Sequence, residues 1–242
     1  MSSDITFTKE NLDTYLKELA KVFRKLNGTA VPAEIILIGG ASVLANYGFR
    51  EMTTDMDAII HASSAMKQAI NTVGDKFNLP VGWLNTDFIR TKSYSDKLIQ
   101  VSVYYRTFSN ILTIRTVAAE YLIAMKLVSG RRYKNDLSDI AGILWEHQKS
   151  SKPISYEMVD KAVTELYGDW SEVSDRLKSV LNKVFGSGDY EGLYQETRES
   201  EKTAKKALVE FNNQHPDELK KSENVNAFLD MVQKKKIGIC QF

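Results

Sequence analysis

Asp55 and Asp57 are separated by a single residue, and Gly39-Gly40 lies about fifteen residues upstream of them. Successive odd positions of a strand point to one side, with Cα atoms roughly 6.7 Å apart, so a strand at this point aims both carboxylates at one region of space. Left bare, the two acids repel by roughly 2.5 kcal/mol at an effective dielectric of about 20. A hard divalent cation such as Mg²⁺, or Mn²⁺ in its place, turns that repulsion into binding through oxygen ligands. Metal ions held in this way can grip triphosphate oxygens and activate an attacking hydroxyl. Gly39 and Gly40 stand where an apolar strand hands over to a helix, which lets backbone amides and the positive helix end face phosphates. Ser42, with Thr53 or Thr54, can add hydroxyl contacts. Each device alone has a commonplace explanation, a tight corner or a surface acidic pair. Together and in this order they are what transfer of a nucleotide from a triphosphate requires.

Two neighbouring chemistries fit less well. A dinucleotide-binding turn wants Gly-X-Gly-X-X-Gly, which Gly39-Gly40-Ala41-Ser42-Val43-Leu44 does not supply. Metal-dependent glycosyltransferases also use Asp-X-Asp to hold a sugar nucleotide, but they have no need of a Gly-Gly turn just upstream. That reading stays open as an alternative.

The elements that must position these residues follow from periodicity. Leu12, Tyr15, Leu16, Leu19, Val22, Phe23 and Leu26 recur at helical spacing and predict a helix over residues 8–27, closed by Asn27-Gly28. Strands are expected at 35–38 and 56–60, a short helix at 41–47 and a longer one from Ser63 to Phe77. Two or three further strands are expected, at 81–89, 97–105 and 110–115. Beyond Thr116 helical periodicity takes over, at 116–128, 136–148, 155–167, 170–185, 189–212 and 218–234. The fold class is α+β: an α/β domain over residues 1–115, then an α-helical domain over 116–242.

Gly39-Gly40, Arg50, Thr53, Asp55 and Asp57 resemble the first motifs of the DNA polymerase β-type nucleotidyltransferase superfamily, and more narrowly its AbiEii-type bacterial toxin and related branches. The family layout continues with a helix bearing a lysine, then an arginine, then an Asp-rich helix start. The segment from Ala124 to Ile140, with Lys126, Arg131, Arg132, Asp136 and Asp139, is similar to that layout, so the resemblance spans roughly residues 35–145. It implies a mixed β-sheet with flanking helices, and a helical domain that completes the cleft and holds an acceptor such as tRNA. It also implies that Asp55, Asp57, Lys126 and Asp136 are catalytic, and that Gly39, Gly40, Ser42, Thr53, Lys126 and Arg131 bind the nucleotide. The implied substrates are a nucleoside triphosphate and an RNA or protein acceptor. The implied setting is a toxin–antitoxin or phage-defence system with an antitoxin partner.

Lys126 is the one charge in the apolar stretch Tyr121–Val128, so it either snorkels out or meets an anion. Asp136 and Asp139 share a helix face, although acids at a helix start favour the macrodipole whatever the function. Polymerase β-type enzymes place a third carboxylate on a later strand, and here Ser102 stands at the centre of 97–105. Asp87 is the best candidate for that third metal ligand and Asp96 a poorer one. A catalytically inactive descendant that binds nucleotide, RNA or a protein partner is the alternative this gap favours.

The remaining features exclude more than they add. A net charge of +1 gives no global attraction to nucleic acid or membrane, so any basic site is local. Cys240 is the sole cysteine, which rules out an intramolecular disulfide and fits a reducing cytoplasm. His61, His147 and His215 lack companions at metal-ligand spacing. Tyr104, Tyr105 and Phe108 could stack bases, but an edge-strand packing role is the simpler reading, and Lys234-Lys235-Lys236 reads as a solvated basic run.

Overall fold

Ala33–Leu37 (β1) is the strand around which the sheet is built. Ile35, Ile36 and Leu37 are all fully buried, so both faces of this strand are covered, as its unbroken apolar run demands. The computed structural model describes residues 6–132, 134–215, 224–225 and 227–232. β1 pairs antiparallel with Ala58–His61 (β2) and parallel with Leu112–Val117 (β4). β4 in turn pairs antiparallel with Ser102–Phe108 (β3), giving the mixed order β2-β1-β4-β3.

Lys9–Asn27 (α1) forms where the apolar spacing places it, with Thr8 as N-cap. Asn11 N donates to Thr8 Oγ1 at 3.4 Å and Thr8 N donates to Asn11 Oδ1 at 2.8 Å, a reciprocal cap that satisfies two orphan donors. Leu12, Leu16, Leu19 and Phe23 line its buried face, and Ala65–Phe77 (α3) packs beside it. Gly39–Asn46 (α2) follows directly from β1. Ala119–Ser129 (α4) is buried on nearly every side from Leu122 to Val128, the pattern of a helix inside a core rather than on its surface.

Packing gathers the chain into two compact units, one running to Val128 and rejoined by Ile154–Glu172, the other made of Ser129–Pro153 and the chain from Val173 onward. The first holds the sheet, α1 to α4 and the helix Tyr156–Tyr167, here α6. The second holds Asp136–Lys149 (α5), Asp175–Ser187 (α7) and Tyr190–Gln214 (α8), with α5 packed on α8. Most of α4, which the sequence pattern groups with the helical half, thus belongs with the sheet.

Three expectations need correction. Residues 81–89 are not a strand. Trp83 N donates back to Pro80 O at 2.9 Å, Gly82 takes a positive φ, and Asp87–Arg90 is a short 3-10 helix. Trp83, Leu84 and Phe88 turn inward while Val81 and Ile89 stay exposed, with Trp83 stacked 6.3 Å from Phe7 and its Nε1 donating to Ile70 O at 2.9 Å. Residues 97–105 are strand only from Ser102, because Asp96–Ile99 forms another 3-10 helix. α7 begins at Asp175 rather than 170, where Ser174 caps it through Leu177 N.

Of the region expected to be helical over 218–234, residues 224–225 and 227–232 are helical, and Phe228 packs 4.4 Å from Phe211. Pro216, Lys234-Lys235-Lys236 and Cys240 lie outside the described residues.

Candidate active site

The Gly39–Gly40 turn and the Asp pair are neighbours because of one backbone bond. Ile38 N donates to Asp57 O at 2.9 Å, extending the β1–β2 pairing by one step and setting Asp57 beside the residue that opens α2. On its other side the same segment meets Asn85. Asn85 N donates to Met56 O at 3.1 Å and Ala58 N donates to Asn85 O at 2.9 Å. Phe7 and Thr53 exchange both backbone bonds, at 2.8 and 2.9 Å, and so pin the approach to the acids. Trp83 and Phe7, both buried in the aromatic cluster under α1, therefore hold the two flanks of residues 53–58.

The acids lie just before β2 rather than within it, in a segment where burial still alternates. Asp55 is exposed, Met56 buried, Asp57 half-buried and Ala58 buried. Met56 and Ala58 enter the core, and the two carboxylates take the alternate positions.

Gly39 and Gly40 are both required by geometry. Gly39 has φ +53°, a conformation costly for a residue with a Cβ. A Cβ on Gly40 would stand 2.6 Å from Thr53 Oγ1 and 3.1 Å from Arg50 Nη2. Ala41 and Ser42 return their N–H groups to Ile38 O at 3.2 and 3.3 Å, so those of Gly39 and Gly40 come first in α2, ahead of any helical acceptor.

The other expected residues separate. Thr53 is brought against Gly40, but it is 5% exposed and its hydroxyl donates to Asp55 O at 3.3 Å. Ser42 does not face the turn's open side. It is fully buried, and its Oγ accepts from Val117 N at 3.2 Å, tying α2 to the end of β4. Lys126 is 5% exposed, so it does not snorkel to water. Asp87 opens the 3-10 helix that follows the turn, exposed, with its backbone N donating to Asn85 Oδ1 at 2.9 Å. Among the described residues no three His, Cys, Asp or Glu side chains are grouped to hold a metal ion, so Asp87 does not join Asp55 and Asp57 in such a set. An oxygen-only pair still suits Mg²⁺, which commonly takes one or two carboxylates and completes its shell with water and substrate phosphate.

In the second unit Asp136 is 2% exposed and engaged with Arg131, which donates to it from its backbone N, Nε and Nη2 at 3.1, 3.0 and 3.2 Å. Arg132, the next residue, donates to Asp230 at 2.5 Å. Asp139, also buried, follows one turn later.

Sequence reasoning missed Glu201. This carboxylate on α8 is 6% exposed and accepts from Leu137 N at 2.9 Å, from Ser138 N at 3.3 Å and from the Ser138 hydroxyl, at the open N-terminus of α5. Burial pushes its pKa up from the ordinary 4.5 to about 7, with Asp139 adding to the rise and the Ser138 and backbone bonds opposing it. Its sequence neighbours are polar and it looks like one more charge on a long surface helix, so no local signal marks it.

The fold is a mixed sheet with flanking helices, with a glycine turn at a strand-to-helix junction and an acidic pair that backbone pairing brings beside it. Residues 14–184 match the family model described as "Nucleotidyltransferase of unknown function (DUF6036)", and the chain belongs to that family. No curated protein and no solved structure matches the chain.

Proposed function

We propose that the protein is a Mg²⁺-dependent nucleotidyltransferase that moves a nucleoside monophosphate from a nucleoside triphosphate to a hydroxyl of an RNA, tRNA included, or of a protein. The observation that carries this reading is the Ile38 N to Asp57 O bond, which sets the Asp pair beside the Gly39–Gly40 turn. Asp55 and Asp57 would hold the metal, which supplies charge neutralisation on the triphosphate and acidifies the acceptor hydroxyl. The Gly39 and Gly40 amides, at the positive end of α2, receive phosphate oxygens. The acceptor oxygen forms a bond to the α-phosphorus, the bond to the β-phosphate oxygen breaks, pyrophosphate leaves and the hydroxyl proton passes to solvent or a base. Positioning and preset electrostatics supply most of the rate. A cytoplasmic toxin–antitoxin or phage-defence role, with an antitoxin as partner, rests on the family resemblance alone. Among the described residues no helix is long and apolar enough to cross a membrane.

The absence of a three-acid group among the described residues favours one second reading, a nucleotide-binding protein without transfer activity. The two separate in one experiment. Each labelled NTP is incubated with Mg²⁺, total RNA and the protein, beside an Asp55→Ala/Asp57→Ala variant. Label transfer that the variant loses supports the enzyme, and nucleotide binding without transfer supports the second reading. Binding of a sugar nucleotide but of no NTP would point to a glycosyltransferase. No transfer and no binding of any nucleotide would sink all three.

A further inference from the structure

Asp55 and Asp57 precede β2, whose paired register with β1 begins at Ala58. Two carboxylates at the mouth of a strand push each other apart, so the segment needs a hold before any metal ion arrives. On one side Ile38 N donates to Asp57 O at 2.9 Å. On the other stands Asn85, in an isolated parallel bridge to Asp57 that belongs to no strand. Asn85 N donates to Met56 O at 3.1 Å and Asn85 O accepts from Ala58 N at 2.9 Å, so one residue grips both neighbours of Asp57.

No ladder sets the register of Asn85, but its side chain can. Asn85 Oδ1 accepts from Asp87 N at 2.9 Å, the bond of an Asx turn, and Asn85 Nδ2 donates to Gly82 O at 3.3 Å. The amide thus ties together both arms of the 82–87 turn, while buried Trp83 and Leu84 anchor that turn in the core. An alanine at 85 would leave Asp87 N and Gly82 O to water and the turn free to open.

We propose that Asn85 is the positioning residue of the acidic pair. By folding the 82–87 turn through its amide, it fixes the backbone on either side of Asp57 and presets the carboxylates for a divalent cation. A preset pair binds more tightly because its ordering is complete before the ion arrives. This rests on the reading of Asp55 and Asp57 as metal ligands given above.

Binding of Mn²⁺ alone, followed by the electron-spin-resonance signal of the free ion, tests it on the wild type, Asn85→Ala and Asn85→Ser, with Asp55→Ala/Asp57→Ala as the blank. Asn85→Ala should weaken Mn²⁺ binding roughly 3- to 10-fold, the worth of about one hydrogen bond. Asn85→Ser should fall between, because a serine hydroxyl can accept from the same backbone N–H more weakly. In the label-transfer assay the Mn²⁺ concentration for half-maximal rate should rise by the same factor in Asn85→Ala, with the rate at saturating metal within about threefold of the wild type. A merely structural residue would lower the amount of folded protein, and with it the amplitude at every metal concentration, without moving that midpoint. Unchanged Mn²⁺ affinity in Asn85→Ala would overturn the proposal, as would a loss that Asn85→Ser does not lessen. If the wild type binds no more Mn²⁺ than the blank, the metal reading of the acidic pair falls and this one with it; if it binds and Asn85→Ala matches it, only the role of Asn85 falls.

Discussion

Glu201 should make the second unit less stable as pH rises. Its carboxylate is 6% exposed, and burial, reinforced by Asp139, raises its pKa from 4.5 to about 7 in the folded protein. Between those two values the folded chain holds a proton that the unfolded chain releases. The stabilisation is therefore complete below about pH 4.5 and is lost as pH climbs through about 7. At 1.36 kcal/mol for each tenfold change in acidity, the full swing is roughly 3 kcal/mol as an upper bound. Glu201→Gln replaces the titrating group with a neutral acceptor of the same shape. Its amide oxygen can still accept from Leu137 N and Ser138 N, and its amide N–H can donate to the Ser138 hydroxyl as the protonated acid does. At pH 5, where the wild-type acid is protonated and the amide makes the equivalent bonds, the two proteins should agree within about 1 kcal/mol. At pH 8 the variant should be the more stable, because only the wild type then carries a buried charge. Urea unfolding at half-unit steps from pH 5 to 8, read from the tryptophans and from amide exchange in peptides covering Leu137 and Ser138, measures both slopes. Parallel slopes for the two proteins, or a wild type that gains on the variant with rising pH, would refute the reasoning.

Gly40→Ala should cost about 1–3 kcal/mol of stability, since its Cβ lands 2.6 Å from Thr53 Oγ1, and should weaken nucleotide binding; thermal melts and calorimetry check both. Ser42→Ala removes the acceptor for Val117 N and should destabilise by about 1–3 kcal/mol while leaving nucleotide affinity unchanged, and an affinity loss without a stability loss would restore Ser42 to the binding set. Asp57→Asn should lower label transfer by roughly 10²–10³-fold, the usual loss when a preset electrostatic group is removed. Asp87→Asn should stay within about threefold of the wild type, as exposed surface changes do, and a loss as deep as that of Asp57→Asn would make Asp87 a metal ligand after all.

Strong local patterns were legible in the chain. An amphipathic repeat with Thr8 before it and Gly28 after it makes α1 whatever surrounds it, and the apolar run Ile35–Ile38 has to be a strand covered on both faces. The Gly-Gly turn and the Asp pair were likewise visible, because φ +53° at residue 39 and a carboxylate on alternate positions are demands on residue type. Residues 81–89 misled because Val81, Trp83, Leu84 and Phe88 are apolar enough for a strand. Their pattern could not say that Trp83 and Phe88 plug the core from a turn.

What only the tertiary structure decided is which polar groups meet. Ser42 looked like a phosphate ligand until β4 brought Val117 N to it, and Asp136 is held by Arg131. Glu201, 63 residues from Ser138, becomes the cap of another helix. Local sequence sets which backbone conformations are cheap and which faces are apolar. Hydrogen-bond partners, burial of a charge and the pKa that follows depend on groups far away in the chain, and those distances exist only once it has folded.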